Sequence, residues 1–172
     1  RVDVSRIAAA GHSYGANTTL LVAGARVTRD GKVLDFSDPR VRAAVILSAP
    51  PFYGEADTAG ILQNVHIPTL HITAQDDDIR IPGYYSGVND RRAVFAATGS
   101  ADKTLVVFKA GSHSMFTDRL GTGGAVWNPQ VKTATRDLSL TFLRSVFDGN
   151  TTAFEPEVAR HQALYQDVSR RH

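Results

Sequence analysis

Four short apolar runs, spaced too far apart to be joined by tight turns, constrain this chain more than any other feature. They are residues 7–11 (IAAAG), 41–48 (VRAAVILS), 68–73 (PTLHIT) and 104–108 (TLVVF). Each is rich in the aliphatic residues of a buried strand, and no hairpin signal links one to the next. The connections read as helices. Residues 14–25 are rich in Ala, Leu and Val, and 87–98 have helical character. Asn128 followed by Pro129 resembles an N-cap with proline at the first helical position. From there Val131, Ala134, Leu138, Phe142, Leu143, Val146 and Phe147 recur at three- and four-residue steps through 129–147. Strands alternating with helices predict an α/β fold, a mostly parallel sheet flanked by helices. Residues 1–150 read as part of one such domain. The more polar 151–172, containing Pro156, reads as a C-terminal helix or surface tail.

Composition removes several classes. The 172 residues carry 19 Lys+Arg against 17 Asp+Glu and are 42% hydrophobic, which is ordinary for a chain that buries a core and argues against disorder. A membrane-spanning helix needs about 20 predominantly apolar residues, and no run here is that long. With no cysteine there is no disulfide, thiolate metal site or cysteine nucleophile, and compartment stays open. The basic residues are scattered, so no nucleic-acid footprint is expected.

The chemistry gathers at the ends of the strands. Gly11-His12-Ser13-Tyr14-Gly15 is a G-x-S-x-G sequence between the first strand and the first helix. A serine in so sharp a turn has its hydroxyl lifted clear of the sheet, with a helix N-terminus behind it. The amide of Tyr14 is then placed to donate to an oxyanion. The bland alternative is a glycine-rich turn whose serine merely caps a helix. A serine hydroxyl also needs a base, and the base an orienting acid. Asp76-Asp77-Asp78 follows the third strand and His113 the fourth. The order serine, acid, histidine differs from that of chymotrypsin and subtilisin types.

On these residues the chain resembles the C-terminal part of an α/β-hydrolase of the dienelactone-hydrolase and small serine-esterase kind. GHSYG matches the nucleophile elbow, TAQDDDIRIP the acid loop, KAGSHSMF the histidine loop, and 129–147 the last helix. The resemblance implies Ser13 as nucleophile, His113 as general base and acid, and Tyr14 as an oxyanion donor. Family members read Gly-x-x-Asp after the corresponding strand. Ala74 stands at the glycine position, which puts the acid at Asp77, with Asp76 and Asp78 as alternatives. The implied activity is cleavage of a small-molecule carboxylic ester through an acyl-enzyme, without cofactor or metal. Two rivals are a serine peptidase of the prolyl-oligopeptidase type and a non-catalytic module that keeps the fold.

The family's sheet has eight strands, so the resemblance also implies a companion N-terminal segment supplying the earlier strands and a second oxyanion donor. Some twenty residues separate the second and third strands, too few for a cap domain. The loop 111–128, with Gly121, Gly123 and Gly124, is expected to gate His113 by its mobility. His12 is expected to pack under the turn and His71 to be a satisfied core residue. His66, His161 and His172 show no metal-ligand spacing to one another or to a carboxylate. Phe52, Tyr53, Tyr84, Tyr85 and Trp127 are candidates for lining a pocket.

Overall fold

The computed structural model describes residues 3–118 and 126–171. In chain order they form β1 (Ile7–His12), α1 (Tyr14–Val22), β2 (Arg26–Arg29), β3 (Lys32–Asp35), β4 (Val41–Leu47) and α2 (Thr58–Leu62). After these come β5 (Thr69–Ala74), β6 (Ile79–Ile81), β7 (Tyr84–Ser86), α3 (Val88–Ala97) and β8 (Lys103–Phe108). The chain ends with α4 (Trp127–Asp148), α5 (Phe154–Arg160) and β9 (Tyr165–Arg171). The central sheet runs β1-β4-β5-β8-β9. Its first three pairings are parallel, and β9 closes the far side antiparallel to β8.

Both faces of this sheet are covered, as a parallel sheet requires. Along β4 the side chains alternate between two cores. Ala43 and Val45 face one with Leu70, Ile72, Val106 and Phe108, under Val131, Ala134, Leu138 and Phe142 of α4. Ala44 and Ile46 face the other with Ala16 and Leu20 of α1, Ile61 and Leu62 of α2, and Val94 of α3. That alternation is the period-2 geometry of a strand. It explains why residues 41–47 read as a continuous apolar run. No described helix is long and apolar enough to cross a membrane.

Three features depart from the sequence reading. Hairpins do occur between the crossover strands. Arg26–Arg29 pairs with Lys32–Asp35 around Asp30 and Gly31, at φ 51° and 71°, the two positive φ values of a type I′ turn. A smaller hairpin pairs Ile79–Ile81 with Tyr84–Ser86. The helix expected from Pro129 begins at Trp127, so Asn128 lies inside its first turn rather than capping it. It stops at Gly149, whose φ of 69° is the left-handed C-terminal cap. Finally, the segment after 150 is more than a surface helix or tail. Phe154 and Val158 of α5 reach the core, and β9 extends the sheet. Residues 119–125 of the loop expected to gate His113 lie outside the described residues.

Parallel pairing aligns the C-terminal ends of four strands, β1, β4, β5 and β8. His12 lies opposite Leu47 and Ala74 opposite Phe108. The ladder continues past the strand ends, with Ser13 N–H donating to Leu47 O at 2.9 Å and Gln75 N–H to Phe108 O at 2.9 Å. The loops that follow β1, β5 and β8 therefore open at one edge of the sheet, where ligands bind in open α/β sheets.

Candidate active site

Ser13 sits at the junction of β1 and α1 with φ 59° and ψ −125°. A non-glycine residue at positive φ is strained, and such strain persists only where the surroundings hold it. Here the hold is steric. A Cβ on Gly11 would collide with the Gly15 carbonyl and come within 2.6 Å of Thr19 Oγ1, so β1 passes close to α1 only because residue 11 is glycine. Gly15 behaves differently, since a Cβ there would meet nothing within 4 Å.

The serine does not cap its helix. No side-chain capping bond forms at Ser13, and its Oγ instead lies 2.8 Å from Nε2 of His113. His113 Nδ1 is 2.7 Å from Asp77 Oδ1. A carboxylate only accepts, so in the neutral ring Nδ1 carries the proton and Nε2 is left to accept from the serine hydroxyl. The three side chains thus form one hydrogen-bonded line across the ends of β1, β5 and β8.

Asp77 is the carboxylate that reaches this line. Its side chain is fully buried, while Asp76 is exposed and Asp78 bonds outward to Arg80 Nη2 at 2.9 Å and Tyr85 OH at 3.1 Å. Thr73 Oγ1 donates to Asp77 Oδ2 at 2.6 Å. Arg91 Nη2, on α3, lies 3.5 Å from Oδ1 with its side chain also buried. Burial alone pushes the Asp77 carboxyl up. The His113 bond, the Arg91 charge and the Thr73 bond outweigh it and bring the pKa from 3.8 down to about 2.

The histidine loop is held from both sides. His12 Nε2 donates to the His113 carbonyl at 2.8 Å, and the two rings stand 4.8 Å apart. Burial lowers the pKa of His12, which suits a neutral ring fixed as a donor. Trp127 Nε1 donates to Ala110 O at 2.8 Å, and Met115 is buried beneath the loop. Gly111, at φ 126°, leaves the space that the Met115 sulfur fills. His12 is half-buried and packs against the rings of His113 and Phe116, so the element it supports is the His113 loop.

Tyr14 is the first residue of α1, so its N–H has no intrahelical acceptor and points out of the helix N-terminus. Its side chain is exposed. Of the five aromatic candidates, Tyr53 and Tyr85 are exposed, Tyr53 and Tyr84 rings lie 5.8 Å apart, and Trp127 packs against the core. His71 is buried as expected, edge-on to Phe95, but among the described residues its Nε2 has no hydrogen-bond partner. Arg91 and Thr73 went unseen in the sequence. A threonine in an apolar strand and an arginine on a polar helix carry no local mark of a role at the site.

No protein-family model matches the chain, and no curated protein matches it either.

Proposed function

We propose that this chain carries the catalytic face of a serine hydrolase of the α/β-hydrolase type, cleaving carboxylic esters through an acyl-enzyme. One observation carries the reading: a strained serine that forgoes its helix cap and bonds a histidine backed by a buried carboxylate. A merely structural serine in this position would relieve an N–H of its own helix.

In this mechanism Ser13 Oγ attacks the acyl carbon while His113 Nε2 takes the hydroxyl proton. Asp77 stays ionised, keeps the ring in the tautomer with the proton on Nδ1, and stabilises the imidazolium that forms. The N–H of Tyr14 donates to the oxyanion of the tetrahedral intermediate. His113 then returns its proton to the leaving alkoxide, and the alcohol departs. Water, deprotonated by the same nitrogen, attacks the acyl-serine and releases the acid with Ser13 regenerated. Loss of one oxyanion donor costs about 10²–10³ in rate. We assign the second donor to a companion segment pairing with β1, whose only partner among the described strands is β4.

The acid assignment is tested with turnover of a p-nitrophenyl ester. Asp77→Asn is expected to lower kcat by about 10⁴, because the amide stabilises the wrong tautomer of the base. Asp76→Asn and Asp78→Asn are expected to stay within about threefold of the wild type, since surface substitutions of this kind perturb little. Equal losses in all three would remove Asp77 from the role.

A further inference from the structure

On the α4/α5 side of the molecule lies a second cluster of ionisable side chains that the proposed reaction does not use. Glu157 and His161 are four residues apart, on one face of α5 and its C-terminal cap, and Asp137 reaches them from α4. His161 Nε2 stands 3.2 Å from Glu157 Oε1 and 3.4 Å from Asp137 Oδ2. One ligand atom from each residue lies within 4.8 Å of the others. All three side chains are mostly buried, at 13%, 15% and 20% exposure for His161, Glu157 and Asp137.

These contacts are ion pairs of loose geometry. Glu157 Oε1 and His161 Nε2 are both buried, and among the described residues neither has a well-directed hydrogen-bond partner. The Tyr165 hydroxyl is a third such group, on a residue only 5% exposed. Burial, and then the charge of Glu157, raises its pKa, so the phenol sits in the field of the same carboxylate. Buried polar groups without partners are costly unless something satisfies them. The neighbouring cations satisfy them poorly. Arg136 Nη2 holds the other oxygen of Asp137, Oδ1, at 2.7 Å. Arg160 Nη1 approaches Glu157 Oε1 only to 3.5 Å and is 68% exposed, free to swing away.

We infer that Asp137, Glu157 and His161 form a binding site for a divalent transition-metal ion of the zinc class. Two carboxylate oxygens and an imidazole nitrogen are a donor set that zinc accepts, with water completing the shell. The spacing fits. Ligand bonds of about 2.0–2.1 Å in a tetrahedron place ligand atoms about 3.3 Å apart, close to both separations from His161 Nε2. Of the three residues His161 also lines a cavity of about 400 Å³, together with Pro129, Thr133 and Leu164, and that is the side from which an ion would enter. The ion ties α5 to α4. Because α5 leads into β9, which pairs with β8, occupancy braces the strand that precedes the His113 loop. The expectation that His161 has no carboxylate at ligand spacing is corrected here, since Glu157 precedes it by four residues and Asp137 of α4 lies alongside.

The test uses the chain stripped with EDTA and titrated with Zn²⁺ in a calorimeter. The expected result is one saturable site and a thermal midpoint about 5–10 °C higher at a hundredfold excess over Kd, with no shift from Mg²⁺. Glu157→Gln and His161→Gln, checked for folding by circular dichroism, should each weaken binding roughly tenfold or more, while His113→Gln leaves it unchanged. If the variants do not fold, ring resonances of the wild type decide, with those of His161 moving on Zn²⁺ addition. Absence of saturable binding, binding that survives both variants, or shifts confined to His12 and His113 would overturn the site.

Discussion

Arg91 stands directly behind Asp77, its guanidinium 3.5 Å from the oxygen that also bonds His113, with neither side chain exposed by more than 2%. The other end of that guanidinium bonds Ser86 Oγ. A buried carboxylate with a cation behind it and an imidazole in front stays ionised, and an ionised acid is what the base needs for orientation.

Removing the cation therefore has two expected consequences. Arg91→Met should lose about 3 kcal/mol in urea unfolding at pH 7, as breaking a buried pair from one side usually does. It should also change the acid limb. Asp77 has its pKa lowered from 3.8 to about 2, so its contribution of about 2 kcal/mol is present above pH 3.8 and lost as pH falls through 2. In Arg91→Met the folded pKa rises, so this contribution shrinks and its loss is complete at higher pH. Parallel acid limbs for variant and wild type would separate Arg91 from the state of Asp77.

His71 makes the opposite prediction in a different pH window. Burial, assisted by Lys103, lowers its pKa from 6.5 to about 3. Lys103 itself is fixed, donating to the carbonyls of Phe95 at 2.8 Å, Ala96 at 3.0 Å and Thr98 at 2.5 Å. Below pH 6.5 the unfolded chain takes up a proton that the folded chain refuses, so stability falls until about pH 3. Relative to wild type, His71→Leu should gain about 2 kcal/mol between pH 7 and pH 5, at roughly 1.36 kcal/mol per pH unit below 6.5. Urea midpoints at the two pH values measure this, and a constant difference would contradict it.

The two glycines flanking Ser13 should respond in opposite senses. Gly11→Ala forces a Cβ against the Gly15 carbonyl and Thr19 Oγ1, with an expected cost of about 1–3 kcal/mol and loss of esterase turnover. Gly15→Ala meets open space and replaces glycine in the first turn of α1, so it should be neutral or stabilising by up to about 1 kcal/mol. Thermal midpoints of the pair decide, and equal destabilisation would mean that the turn needs both glycines for their backbone freedom.

What could be read from the sequence follows how locally each feature is encoded. Strands β4, β5 and β8 announce themselves because both their faces are largely buried, and β1 because its short run is apolar throughout. The pair Ser13 and His113 is legible because each lies in the loop that follows such an apolar run, at the same edge of the sheet. Counting from Ala74 favoured Asp77, but only the turn after β5, which buries one carboxylate and exposes the next, separates it from Asp76. The strand β9 (YQDVSRR) is polar because it lies at the sheet's edge with one side in solvent, and its pairing depends on β8 being already in place. The hairpin around Asp30-Gly31 is built from strands of four residues. Its residues 26–29 have one buried side chain, too short a pattern to outweigh the charged residues around it. Arg91 could not be seen at all, since its role depends on where α3 lands against β5.

The central claim is that Ser13 is a nucleophile activated through His113, and covalent labelling with a fluorophosphonate tests it most directly. Intact mass and peptide mapping should show one adduct, on Ser13, absent in Ser13→Ala and slowed by at least about 10³ in His113→Gln. An adduct on another serine, a labelling rate unchanged in His113→Gln, or no adduct on the folded chain would contradict the account.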